Sequence, residues 1–122
     1  MADVNGLKTV NDAQGHEAGD QLIRNTSRCI CGIYAHSPVF RIGGDEFVVI
    51  LTGGDYARRD ELLAELRAKS LPGIEELQLQ NGDASVASGM AEYSPETDTT
   101  VAEVFARADE AMYACKKQMK QG

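Results

Sequence analysis

The sequence predicts an α+β sandwich of the ferredoxin-like kind, with helices packed on a mostly antiparallel sheet. Three observations lead there. Apolar residues recur at helical spacing in three separate stretches. Short β-branched runs stand between those stretches. The resulting order is strand, helix, strand, strand, helix, strand, helix, which lets helices cover one face of a sheet. At 122 residues the chain suits one domain, spanning 1–122, with enough bulk for a core.

Residues 1–4 read as the stub of a first strand. Residues 5–17 are polar and loop-like. A helix is expected from Gly19, where Leu22, Thr26, Cys29, Ile30 and Ile33 share a face; Pro38 ends it. Pro38 to Ile42 and Glu46 to Leu51 are two strands, joined through Gly43-Gly44-Asp45-Glu46 by a tight two-residue turn. Gly53-Gly54 breaks the chain. Residues 55–69 form the second helix, with Ala57, Leu62, Leu63 and Leu66 inward. "EELQLQ" is compatible with a short strand, outside the order above; Asn81-Gly82 reads as a turn and "ASVASGMAEY" as the strand that follows. Thr100 and Glu103 make a capping box before the last helix. Its buried stripe is Val101, Val104, Phe105, Ala108, Met112 and Cys115.

Lys and Arg number 12 against 19 Asp and Glu, a net charge of -7. That balance argues against nucleic acid or an anionic membrane as a broad-surface partner. No apolar run reaches the length of a membrane span. Cys29, Cys31 and Cys115 are odd in number and form no Cys-x-x-Cys, which points to a reducing, cytoplasmic setting.

The chemistry-bearing residues gather around "RIGGDEFVVI", from Arg41 to Ile50. Asp45 sits in the turn. If the first strand lies beside this hairpin, Asp3 meets Asp45 at one sheet edge. Two carboxylates and a backbone carbonyl are hard oxygen ligands suited to Mg²⁺ on phosphates. By spacing alone, Asp45 equally suits a turn and Glu46 a solvated position. "DVNGLKTVNDAQGHEAGD", Asp3 to Asp20, follows the strand with glycine, lysine and exposed backbone, a setting that can cradle phosphates. It lacks the Gly-x-x-x-x-Gly-Lys order. Asn11 and Asp20 bracket this loop; an amide and a carboxylate together can read guanine, though both also suit helix caps. His16 suits loop packing. Lys116 and Lys120 lie four apart on one helix face, where they complement the helix C-terminus or reach a ligand's phosphates.

These residues together resemble the GGDEF family of diguanylate cyclases. "GGDEF" from Gly43 to Phe47 is the family's signature, joined in order by "DVNGLKTVND", "GHEAGD" and "ADEAMYACKK" over nearly the whole chain. The resemblance implies a palm-like, nucleotide-cyclase-like fold and condensation of two GTP into cyclic di-GMP and two pyrophosphates. It implies two Mg²⁺ or Mn²⁺ ions per site, held by Asp3, Asp45 and the Val4 carbonyl. Asn11 and Asp20 would read guanine. Backbone amides around Gly6 and Leu7 would hold phosphates, with Lys8 close by and Lys116 and Lys120 in contact. Gly43 and Gly44 would let the backbone approach the nucleotide, and Glu46 would serve as metal ligand or general base. Turnover would need a homodimer, and a sensor or receiver domain would be linked in the parent protein. The alternative is a GTP-binding regulatory module that turns nothing over.

Against the family pattern, the usual N-terminal segment and the final short strand are missing. Lys120 stands where Arg is common. The inhibitory product site, Arg-x-x-Asp, would fall on Tyr34 to Ser37, where "YAHS" carries neither charge.

Overall fold

A computed structural model describes residues 1–70 and 84–121, without the side chains of 120 and 121. The expected "EELQLQ" strand and Asn81-Gly82 turn lie outside the described residues. The elements run β1 (Ala2–Val4), α1 (Leu7–Gln14), α2 (His16–Ile33), β2 (Val39–Arg41), β3 (Glu46–Val49), α3 (Gly53–Ala57), α4 (Arg59–Lys69), β4 (Val86–Ser88) and α5 (Val101–Gln121). The strands form one antiparallel sheet in the order β2-β3-β1-β4. The predicted α+β architecture is what forms.

Three-residue β1 occupies the middle of this sheet. Ala2 faces Phe47 on β3 and Ser88 on β4; Asp3 faces Glu46 and Ala87. Every residue of β1 is buried, because strands flank both edges. Its Ala2 and Val4 join Val10, Leu22, Ile30, Phe47, Leu62, Leu66 and Val86 in the core. Leu22 and Ile30 are fully buried, as their helical spacing predicts.

Several local expectations are corrected. Residues 5–17 are mostly helical, not a loop. Gly6 turns the chain at φ 67°, and Leu7 and Val10 pack inward while Lys8, Asp12 and Gln14 face solvent. Two large apolar side chains in eight residues were too few to show a period. α2 accordingly starts at His16, before Gly19, after a sharp turn at Gly15 (φ 92°). The second helix starts at Gly53, which adopts φ 55°, and breaks at Arg58 into α3 and α4, leaving Ala57 exposed. The strand within "ASVASGMAEY" is only Val86–Ser88. The cap of α5 is shifted by one: Glu103 takes Thr99 N–H at 2.8 Å and its hydroxyl at 3.1 Å.

The stripe of α5 is only partly covered. Met112 is 1% exposed, but Val101 is 78% and Phe105 41% exposed. An apolar cavity of about 390 Å³ explains this: Val101, Phe105, Tyr93, Leu51, Leu66 and Met90 are among its walls. None of Asp3, Asp45 and Glu46 lines it.

Candidate active site

The β2–β3 connection is wider than the tight two-residue turn expected. Ile42 N–H donates to the Glu46 carbonyl at 3.0 Å, leaving Gly43, Gly44 and Asp45 outside the closing pair. None of the three has positive φ, so a two-residue primed turn is not formed. The reason lies next door: Val4 N–H donates to the Asp45 carbonyl at 2.8 Å, drawing Asp45 towards β1. Arg41 secures the tip, donating from Nε to the Gly43 carbonyl at 3.2 Å and from Nη2 to the Gly44 carbonyl at 2.7 Å. Arg41 was not singled out in the sequence, where it reads as an ordinary exposed strand-end cation.

This pairing brings the Asp3 and Asp45 carboxylates within interacting distance. Asp3 is buried, at 6% exposure. Lys116 Nζ donates to its Oδ2 at 2.8 Å, while Oδ1 is buried with no hydrogen-bond partner. Burial pushes the Asp3 carboxyl above its ordinary pKa; Lys116 opposes the rise and Asp45 adds to it. Glu46, half-buried on β3, is also pushed up, first by burial and then by Asp3, Asp45 and Asp109. The Lys116 ammonium is held above its ordinary value, mainly by its hydrogen bond to Asp3. Asp109, about two turns before Lys116 on α5, is a further acid that sequence reasoning did not place here; only the packing of α5 against the sheet reveals it.

A buried, unpartnered carboxylate oxygen facing a second acid is the donor set that a hard divalent cation satisfies. No group of three or more His, Cys, Asp or Glu suited to a metal occurs among the described residues. Two carboxylates with carbonyl and phosphate oxygens therefore fit this place better than an all-protein cage.

Directly after β1, Gly6 leads into α1, whose N-terminus has no side-chain cap and no acid in its first turn. Its free N–H groups and dipole favour an anion. Leu7 is half-buried there and Lys8 is exposed beside it. Asn5 anchors this entry, donating from its backbone to the Ser85 carbonyl at 2.8 Å and from Nδ2 to Ser85 Oγ at 3.1 Å.

At the other end of α1, the chain reverses at Gly15 and α2 packs back, so Asn11 meets the first turns of α2. The Asn11 carboxamide lies directly against the backbone of Gly19, the residue before Asp20. Asp20 is exposed. Asp3, Asp45 and Lys116 thus lie together, at the strand that leads into α1. Gly43 and Gly44 are exposed at the hairpin tip. The Lys120 side chain lies outside the described residues.

Tyr34 to Ser37 form a turn held from within. Asp55, 4% exposed, accepts from His36 N–H at 3.0 Å and Ser37 Oγ at 2.8 Å.

Comparison with known proteins gives a consistent result. The family described as "Diguanylate cyclase, GGDEF domain" matches residues 1–122. The signaling protein YkoW of Bacillus subtilis is 33% identical over 97% of this chain and 15% of its own length. Diguanylate cyclase DosC of Shigella sonnei is 31% identical over 97% of this chain and 26% of its own. The chain thus spans about a quarter of the length of these relatives or less. Among solved structures, the GGDEF domain of DgcB from Caulobacter crescentus, in complex with c-di-GMP, superposes with a TM-score of 0.72. It is 31% identical, over 96% of this chain and 70% of that one.

Proposed function

The chain belongs to the GGDEF family of diguanylate cyclase domains, and on that premise we propose that it joins two GTP molecules into cyclic di-GMP, releasing two pyrophosphates. The observation that carries this reading is Asp3: a buried carboxylate with one orphaned oxygen, facing Asp45 beside an uncapped helix N-terminus. That combination suits a metal–triphosphate better than it suits a stable empty fold.

In this reading Asp3, Asp45 and the Val4 carbonyl hold Mg²⁺ or Mn²⁺, two per site. Bound there, the ions neutralise phosphate charge and acidify the attacking hydroxyl. The N–H groups around Gly6 and Leu7 hold the β- and γ-phosphates, with Lys8 nearby. Lys116 exchanges its bond to Asp3 for the phosphates, and Lys120, four residues on, is read from its spacing as a second phosphate contact. Asn11 and Asp20 fix the guanine. Gly43 and Gly44 present bare backbone to the nucleotide. Glu46, whose proton affinity is raised by burial and by its acidic neighbours, is the candidate general base or additional ligand.

Each chain binds one GTP. The 3′-hydroxyl of one attacks the α-phosphorus of the other in line, so two chains must face each other. Aligning the reactants supplies about 7–11 kcal/mol of the barrier in well-oriented systems. Larger relatives place this domain within longer chains, and a linked sensor or receiver would govern that encounter.

The test is incubation with GTP and Mg²⁺ or Mn²⁺, with cyclic di-GMP and pyrophosphate quantified. Product formation that requires the metal is expected. Metal-dependent GTP binding without product, at concentrations where the chain is dimeric, would replace the cyclase by a non-turning GTP-binding module.

A further inference from the structure

We propose that Gly19 is a positioning residue for guanine recognition: it keeps bare the patch of α2 on which the Asn11 carboxamide lies. This rests on the reading that Asn11 and Asp20 take the guanine edge.

Gly19 is buried, the fourth residue of α2 and the neighbour of Asp20. A Cβ placed on it would fall 1.7 Å from Asn11 Oδ1, 2.7 Å from Cγ and 3.3 Å from Nδ2. All three nearest atoms belong to Asn11. The backbone does not itself call for glycine, since Gly19 lacks positive φ. Helix propensity disfavours glycine, by about 1 kcal/mol against alanine. The glycine therefore has its reason in the amide above it.

What the clash would displace decides its consequence. The obstructed atoms are the far end of a rotatable side chain, so the methyl group added by Gly19→Ala is accommodated by swinging the amide aside. The helix pair survives; the position of the amide does not. Gly89 is the opposite case, where a Cβ would meet Met112 N at 2.2 Å and the Ala111 carbonyl carbon at 2.5 Å, both backbone. Recognition of a base edge by an amide is steeply geometric, because a displaced donor or acceptor leaves its partner unpaired. Gly19 therefore sets where Asn11 points relative to Asp20, and with it the preference for guanine.

The experiment compares Gly19→Ala, Asn11→Ala and the double variant, measuring GTP and ATP affinity with Mn²⁺ together with melting temperature. Gly19→Ala is expected to weaken GTP binding about tenfold, leave ATP binding unchanged and melt no lower than the parent. The double variant should bind GTP no worse than Asn11→Ala. Unchanged GTP affinity in Gly19→Ala, or a full further loss in the double variant, overturns the proposal. If Gly19→Ala melts lower, recovery in the double variant supports the clash with Asn11, and persistence makes Gly19 a packing residue. Asn11→Ala that binds GTP normally sinks the guanine assignment itself; Asn11→Ala impaired beside a normal Gly19→Ala sinks this inference alone.

Discussion

At the scale of single residues, the acids work against the fold. The folded-state pKa of Asp3 is raised, chiefly by burial. Its favourable contribution is therefore complete below the unfolded value of 3.8 and is lost as pH rises through the raised one. At neutral pH, ionised Asp3 beside Asp45 is a net cost, only partly offset by Lys116. Asp45→Asn should accordingly abolish cyclic di-GMP formation while holding or raising stability, by about 0.5 kcal/mol or more; urea unfolding and product assay on the same sample check both halves. Lys116 behaves in the ordinary way: its stabilising bond is present at neutral pH and is lost only as pH rises through its raised pKa, above 10.5. Asp45 and Glu46 were legible in the sequence because their motif is local. Asp3 was legible only through the supposition that β1 neighbours the hairpin. The roles of Gly19 and Arg41 were not, since the meaning of each depends on an atom across a turn.

At the scale of elements, α5 carries Lys116 and must be held in register with the sheet. Two devices hold it. Gly89 brings β4's exit against the α5 backbone at Ala111 and Met112. Asp98 binds the Arg107 guanidinium, Nη2 to Oδ2 at 2.7 Å, and accepts from Ser94 N–H at 2.8 Å. Gly89→Ala should cost about 1–3 kcal/mol, because neither backbone can yield; thermal melting measures this, and GTP binding should fall with it. The Asp98 carboxyl is pulled down to about 2, first by Arg107. Its contribution is present above 3.8 and is lost as pH falls towards 2. Asp98→Asn should flatten that part of the acid-stability profile, as followed by circular dichroism against pH. The long helices were readable because Leu22, Ile30, Leu62 and Leu66 repeat over several turns. α1 was not, with one buried residue in eight. The apolar stripe of α5 was read correctly as a pattern but not in its burial, because periodicity shows which residues share a face and not what covers it.

At the scale of the whole molecule, the order of strands and helices was enough to reach the architecture; the centrality of β1 follows from pairing that no local pattern records. On the proposed reading each chain binds one GTP, so specific activity should rise with protein concentration, as tested by product formation across a dilution series. Asp45→Asn chains mixed with parent chains should poison it, because a pair needs two competent sites. The Tyr34 to Ser37 turn, without Arg or Asp and with its polar groups engaged by Asp55, should leave initial rates unaffected by added cyclic di-GMP at that location. The central placing of β1 also governs how this molecule comes into being. Its middle strand is made before both of its partners, which lie at Glu46 to Phe47 and at Val86 to Ser88, and the Asp3–Lys116 bond closes over 113 positions. Contacts of such sequence separation form slowly, since loop closure precedes their reward. During synthesis the sheet cannot close before Ser88 emerges, and the corner of Asp3, Asp45 and Lys116 waits for α5. On the proposed reading, a copy that stops short of α5 has Asp3 and Asp45 but not Lys116 beside them, and so no complete site with which to act.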